Sequence, residues 1–200
     1  MRSIVNLLCV RAQLPYQLGG LETNVLFVDG GNSFRLYDIS RIAQSHQLDP
    51  RKVLERIFIS RAFTPYQLTA LIQEKLQNAV KKYETKLVVL SNLAQLFLDK
   101  DIPKKEAQKI FLQITSHLRD FTKKNQIITV ATHPPYYWSK NCMFFKEVLC
   151  ARANIVASIS KSKNRPHFVL EKHPEFKLGN VHACMHGSKN QTYPSCQTNS

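Results

Sequence analysis

The stretch Asn24-Val-Leu-Phe-Val-Asp29-Gly30-Gly31-Asn32-Ser33-Phe34-Arg35 decides the fold. Four apolar residues in a row, closed by an aspartate and two glycines, read as a strand buried on both faces that ends in a turn. Lys86-Leu-Val-Val-Leu-Ser91 and Gln126-Ile-Ile-Thr-Val-Ala131 repeat the pattern with almost no polar alternation, and Ile57-Phe-Ile-Ser60 is a shorter version. Strands in the middle of a parallel sheet have this composition.

Working outward, the segments between these strands switch to a helical period. Ile4, Leu7 and Leu8 belong to an amphipathic helix stopped by Pro15, and Leu36, Ile39, Ile42 and Ala43 give a second one. Leu68, Leu71, Ile72, Leu76, Ala79, Val80 and Tyr83 form the stripe of a long helix; Ala107, Ile110, Phe111, Ile114, Leu118 and Phe121 form another. Asp49-Pro50 and Thr64-Pro65 each place a capping oxygen before a proline at the first helical position. Residues 133–152 read as a loop and a segment without clear periodicity. Ala153 to Ser160 and His167 to Lys172 read as a β pair joined by the basic turn Lys161-Ser-Lys163-Asn-Arg165. This alternation predicts a single α/β sheet covered by helices.

The chain has 200 residues, 44% hydrophobic and 21% charged, enough to bury one core. The longest apolar runs stop at four or five residues, against the ~18–20 needed to span a bilayer. A signal peptide is rejected because Asn6 and Arg11 interrupt the first apolar stretch. The net charge is +14, of which residues 101–200 carry +9 (15 basic, 6 acidic) and residues 1–100 carry +5 (13 basic, 8 acidic). That balance favours a polyanion, nucleic acid before membrane surface; the plainer reading is a basic protein with no such partner. Five cysteines without C-x-x-C spacing read as reduced thiols inside a cell. His182, Cys184, His186 and Cys196 fit no common zinc spacing, and a disordered tail is the reading taken for that polar stretch.

Asn24–Phe34, Asp49–Phe63, Leu87–Asp99 and Ile127–Pro134 together resemble consecutive blocks of the RecA-type ATPase core, in the version of the archaeal RadA and eukaryotic strand-exchange recombinases. Leu26 to Arg35 is similar to that family's strand ending in Asp-Thr-Glu-Gly-Thr-Phe-Arg. The triplet Arg61-Ala62-Phe63 and the run Gln13-Leu14-Pro15 recur there as well. The resemblance implies a RecA-like fold over residues 1–181, truncated on its N-terminal side, with 182–200 as tail. It also implies an ATP·Mg²⁺ site from which this sequence departs. The P-loop, Gly-x-x-x-x-Gly-Lys-Thr/Ser, belongs just ahead of residues 2–14, yet none of the six glycines here precedes a lysine. The family's catalytic glutamate falls on Gly31, its Walker B aspartate on Ser91 and its polar sensor on Thr132-His133-Pro134. Phosphoryl transfer depends on metal and oriented charge, so these losses predict a degenerate site with no cofactor, of which Asp29, Ser33 and His133 are vestiges. ATP and Mg²⁺ return only if that reading fails. His133 reads equally as a hydrogen-bonded strand end.

Two family features outlast catalysis. The recombinase DNA loops map to Lys100, Lys104 and Lys105, and to a segment with Tyr136, Tyr137, Trp138, Lys140 and Lys146. Three adjacent aromatics beside lysines suit single-stranded DNA. The competing reading is a packed lid, and for Lys104 and Lys105 a solvated helix start. Lys161, Lys163 and Arg165 add phosphate contacts. The resemblance also implies a groove at Leu71, Leu76, Ala79 and Tyr83 that receives a Phe-x-x-Ala segment of a neighbouring subunit; core packing is the other reading. Lacking the P-loop strand, the sheet is expected to leave open backbone donors at a gap, which also points to a partner.

The function expected is thus a non-catalytic recombinase paralog that binds DNA or a recombinase subunit and assists homologous recombination and repair. Its alternatives are a fragment of an ATP-dependent recombinase and a protein-binding scaffold. No membrane partner is expected, and the compartment is intracellular: cytoplasmic in a prokaryote, nuclear in a eukaryote.

Overall fold

In the computed structural model the chain packs as two compact units, residues 1–153 and 154–200. The structure describes residues 2–99, 101–133, 140–162 and 165–181. In the first unit β1 (Asn24–Asp29), β2 (Ile57–Arg61), β3 (Thr85–Ser91) and β4 (Ile128–Ala131) form a wholly parallel sheet in the order β2-β1-β3-β4. The four strands pair continuously. Val25 sits between Ile57 and Leu87, and Leu87 in turn pairs with Ile128. In this sheet β2 and β4 are the outer strands.

Alternate residues of the central strands feed two cores, as a period of two requires. Val25, Phe27, Leu87 and Val89 pack against α1 (Arg2–Arg11), α2 (Leu36–Ser45) and α3 (Pro50–Glu55). Leu26, Val28, Val88 and Leu90 pack against α4 (Pro65–Ala70), α5 (Leu76–Lys82) and α6 (Lys104–Asn125). Each such side chain contributes about 1.5–3 kcal/mol by leaving water, which is why these strands tolerate no polar alternation. Both predicted caps form: the Arg51 backbone N–H donates to Asp49 Oδ1 at 2.9 Å, and that of Gln67 to Thr64 Oγ1 at 3.1 Å.

A widened turn, Leu71–Lys75, joins α4 to α5. Its cause is visible in the buried residues Leu68, Ile72, Leu76 and Val80, spaced four apart. An α-helix overshoots by about 40° for every four residues, and one wide turn pulls the stripe back onto the core. At Gly20 the chain folds back on the end of α1, with Leu21 N–H on Ala12 O and Glu22 N–H on Leu14 O, both at 3.0 Å. A Cβ at residue 20 would lie 1.9 Å from Leu14 O, so the turn needs glycine for space. Burial pushes the Cys9 thiol up to about 12, leaving it a protonated, unreactive core residue.

The β pair expected at Ala153–Ser160 and His167–Lys172 forms, while part of the segment read as loop before it is helical. Lys140–Arg152 is a helix, α7, whose Cys142 and Phe145 are buried. The second unit holds its own antiparallel sheet, so the single sheet expected is in fact two. β5 (Val156–Ser162) pairs with β6 (Arg165–Lys172), and β6 with β7 (Gly179–Val181). Lys161 and Arg165 belong to strands rather than to the turn, because the ladder runs on to Ser162↔Arg165. Lys163 and residues 182–200 lie outside the described residues. Among the described residues no helix is long and apolar enough to cross a membrane.

Candidate functional site

In open parallel sheets, ligands sit beyond the carboxyl ends of the strands. Here those ends bring Asp29 of β1 and Ser91 of β3 into register as neighbours. Asp29 is 1% exposed. Its Oδ1 accepts from Gly31 N at 3.3 Å, Ser33 N at 2.8 Å and Ser33 Oγ at 3.0 Å. Oδ2 accepts from Ser33 N at 3.0 Å and Phe34 N at 3.1 Å, and Arg61 Nε lies 3.9 Å away. The carboxylate therefore folds residues 30–34 around itself. Ser33 has one hydroxyl proton and gives it to Asp29, so in the 2.6 Å contact between Ser33 and Ser91 the donor is Ser91. A short hydroxyl relay thus runs inward from β3 to the buried charge.

The polar group after β4 serves a different purpose. Thr132 Oγ1 accepts from Asn92 N at 2.9 Å, Thr132 N donates to Leu90 O at 3.0 Å, and Leu93 N donates to Thr132 O at 3.2 Å. Thr132 thereby clamps the turn leaving β3. His133 is half-buried, and its Nε2 lies 3.4 Å from Cys142 Sγ on α7. Burial raises the Cys142 thiol, opposed by nearby Lys146.

The resemblance implies Mg²⁺·ATP at these strand ends, and the side chains present do not fit it. Residue 91 offers a hydroxyl already donated inward, and the oxygens of Asp29 are taken by four donor groups. A side chain at Gly31 would require Asn92 and the Gln95 amide to move. A Cβ there would lie 2.5 Å from Asn92 Nδ2, 2.8 Å from Asn92 Cβ and 2.8 Å from Gln95 Oε1. Asn92 itself sits at φ 54°, held by the Thr132 clamp. Gly31→Ala should accordingly lower the unfolding free energy by about 1–3 kcal/mol. Adding Asn92→Gly, which empties the space, should recover most of that loss. Urea unfolding of the double-mutant cycle measures the coupling, and additive losses would mean that Asn92 is not the obstacle.

The proposed DNA residues are only partly described. Lys104 and Lys105 are exposed in the first turn of α6, and Lys146 is exposed on α7. Lys104, Asp99, Phe97 and Phe145 line one cavity of about 350 Å³, which brings the start of α6 to the flank of α7. Lys140 opens α7, while Lys161 and Arg165 lie on β5 and β6. Lys100, Tyr136, Tyr137 and Trp138 lie outside the described residues.

In the expected partner groove, Leu76 is 1% exposed and packs inside the core. Leu71, Ala79 and Tyr83 are partly buried against that core. One face of the Tyr83 ring is covered by Phe58, stacked at 3.7 Å and 17°. Sequence reasoning assigned no site role to Arg61, Asn92, Gln95, Tyr37 or Tyr66. Only Arg61 had a signal, the charge beside the strand end; the others are defined by what the fold places next to them.

Residues 2–133 match the Rad51 family. The chain is 32% identical over 129 residues to the DNA repair and recombination protein RadA of Aeropyrum pernix, an alignment covering 64% of this chain and 40% of that protein. It therefore spans less than half the length of that relative. The fold, the strand-end loop and the match over residues 2–133 lead to one conclusion: this chain belongs to the Rad51 family.

Proposed function

We propose that this protein is a non-catalytic Rad51-family paralog that binds DNA, preferentially single-stranded, or a recombinase subunit, and assists recombination and repair. The observation that carries the reading is the filled strand-end site. Asn92 and Gln95 occupy the space beside Gly31, and Ser91 turns its proton inward to the Asp29 loop. Substitutions of this kind leave a scaffold with no means of orienting water or metal, while the basic surface remains. The RadA relative is described by its name as a DNA repair and recombination protein, and the +14 charge supports a polyanionic partner.

The test is fluorescence anisotropy with single- and double-stranded oligonucleotides at two salt concentrations, with and without ATP·Mg²⁺. Binding is expected to fall steeply with salt, to be indifferent to ATP, and to weaken when Tyr136, Tyr137 and Trp138 become alanine. A clear ATP dependence would overturn the non-catalytic reading. No binding at low salt would remove the DNA role and leave the recombinase partner, read out by co-purification.

A second reading is favoured by length, since the chain spans 40% of the RadA relative. It is a portion of an ATP-dependent recombinase-like protein. An in-frame Gly-x-x-x-x-Gly-Lys-Ser/Thr upstream in the genomic DNA would select it.

A further inference from the structure

Residues 173–178 join β6 to β7, and the turn they make is held by a side chain of the kind that titrates near neutral pH. The ladder between those strands ends at the pair Leu170↔Gly179, so the chain reverses there without help from the sheet. Two backbone donors inside the turn share one acceptor: Glu175 N and Phe176 N each donate to His173 Nδ1 at 3.0 Å. The Phe176 ring also lies against the imidazole, with centroids 4.4 Å apart and planes tilted by 42°. At the far end Gly179 sits at φ 147°, a conformation that L side chains rarely adopt and a ready hinge.

Accepting from the N–H groups two and three residues ahead is the task that asparagine, aspartate, serine or threonine performs in most turns. Those side chains keep their acceptor through neutral pH, whereas an imidazole can lose it. Accepting at Nδ1 requires the neutral ring with its proton on Nε2. A second proton enters at Nδ1, turns the acceptor into a donor and sets one N–H against two others. An imidazolium would gain a little against the Phe176 ring, less than the two bonds lost. The charged groups around His173 are few. Glu171 and Lys172 end β6, Glu175 and Lys177 lie in the turn, and β7 carries none. On the other side of β6, β5 brings its one charge, Lys161, only opposite Pro166 at the far end of the ladder. Among the described residues no ion pair joins either glutamate to His173, so no carboxylate is placed to hold a charged ring in the closed turn.

We propose that His173 is a pH-operated latch: the turn is closed while the imidazole is neutral, and it opens about Gly179 when Nδ1 takes a proton. The hold on the turn is therefore present at the alkaline end of the range in which histidines titrate, about pH 5–8, and is lost toward the acid end. What the latch controls is the presentation of two apolar side chains, Phe176 at 64% and Leu178 at 59% exposure. The closed turn fixes both in one geometry, and the open turn releases them. The device belongs to the second unit alone and stands whether or not the chain binds DNA.

The experiment is an NMR titration of the full chain, labelled with ¹⁵N and with ¹³C in its histidine rings, from about pH 8 to about pH 5. In the parent, the Glu175 and Phe176 amide resonances should move with the same midpoint as the His173 ring. His173→Asn keeps an acceptor that does not titrate, so its two amides should stay bonded and flat with pH. It also separates this ring from the protein's other histidines. His173→Ala should show the open-turn amide shifts throughout. A second readout is trypsin cleavage after Lys177, taken as the ratio of parent to His173→Asn so that the protease's own pH dependence cancels. That ratio should rise roughly fivefold or more from the alkaline to the acid end. The latch is overturned if the two amides do not follow the ring in the parent, or if they titrate equally in His173→Asn. Alanine-variant amides that match the parent's at the alkaline end would also overturn it, because the imidazole would then not be what holds the turn.

Discussion

Replacing Phe111 by alanine should lower the unfolding free energy by about 3–5 kcal/mol. Phe111 is fully buried in the middle of α6. It meets Phe97 edge-on at 5.1 Å and Phe145 at 4.7 Å, and those two rings are 6.0 Å apart. The three rings come from the short turn Gln95–Leu98, from α6 and from α7. Truncating the central one removes transfer energy, opens a cavity between three separate segments and breaks two edge-to-face contacts. Because Phe145 is a buried anchor of α7, the loss should show locally as well. Limited trypsin digestion is expected to cut faster at Lys146 and Arg152 in the variant than in the parent. Denaturant titration gives the global loss, and a value below about 1 kcal/mol would mean that the cluster does not pin α7.

Asp29→Ala should cost about 2–4 kcal/mol, a magnitude set by the donors it strands. Ser33 N and Phe34 N are turned toward the carboxylate by the loop itself, and Ser33 Oγ and Gly31 N complete the set. Charge-assisted bonds of this kind are about twice as strong as neutral ones. Asp29→Asn should rescue little. One of the two oxygens becomes an NH₂ group, and whichever way the amide turns, it faces N–H donors where an acceptor is needed. Thermal melts of both variants, with hydrogen exchange of the Gly31–Phe34 amides, measure the effect. If the asparagine variant melts with the parent, the carboxylate is not what holds the loop.

The sequence determined whatever depends on near neighbours along the chain. The apolar runs at 25–28 and 87–90 read as strands buried on both faces, and they are the two central ones. Asp49 and Thr64 cap helices because a short polar side chain before a proline leaves the first turn's N–H groups one nearby acceptor. Asp29, Gly31 and Ser91 were singled out by the resemblance of residues 26–35 and 87–99 to the family's blocks, which set what charge to expect at each position.

The tertiary structure decided what depends on contacts between distant residues. Continuous pairing of β2-β1-β3-β4 is a matter of register between strands, and no strand's own composition states its neighbours. Helix α7 lacks a clean stripe and is fixed by Phe145 entering a space made by Phe97 and Phe111. The link between Ser33 and Ser91 joins residues 58 positions apart, and the filling of the space beside Gly31 comes from Asn92 and Gln95. Periodicity and capping act within a few residues, whereas shape, enclosure and charge proximity appear only once the chain has closed on itself.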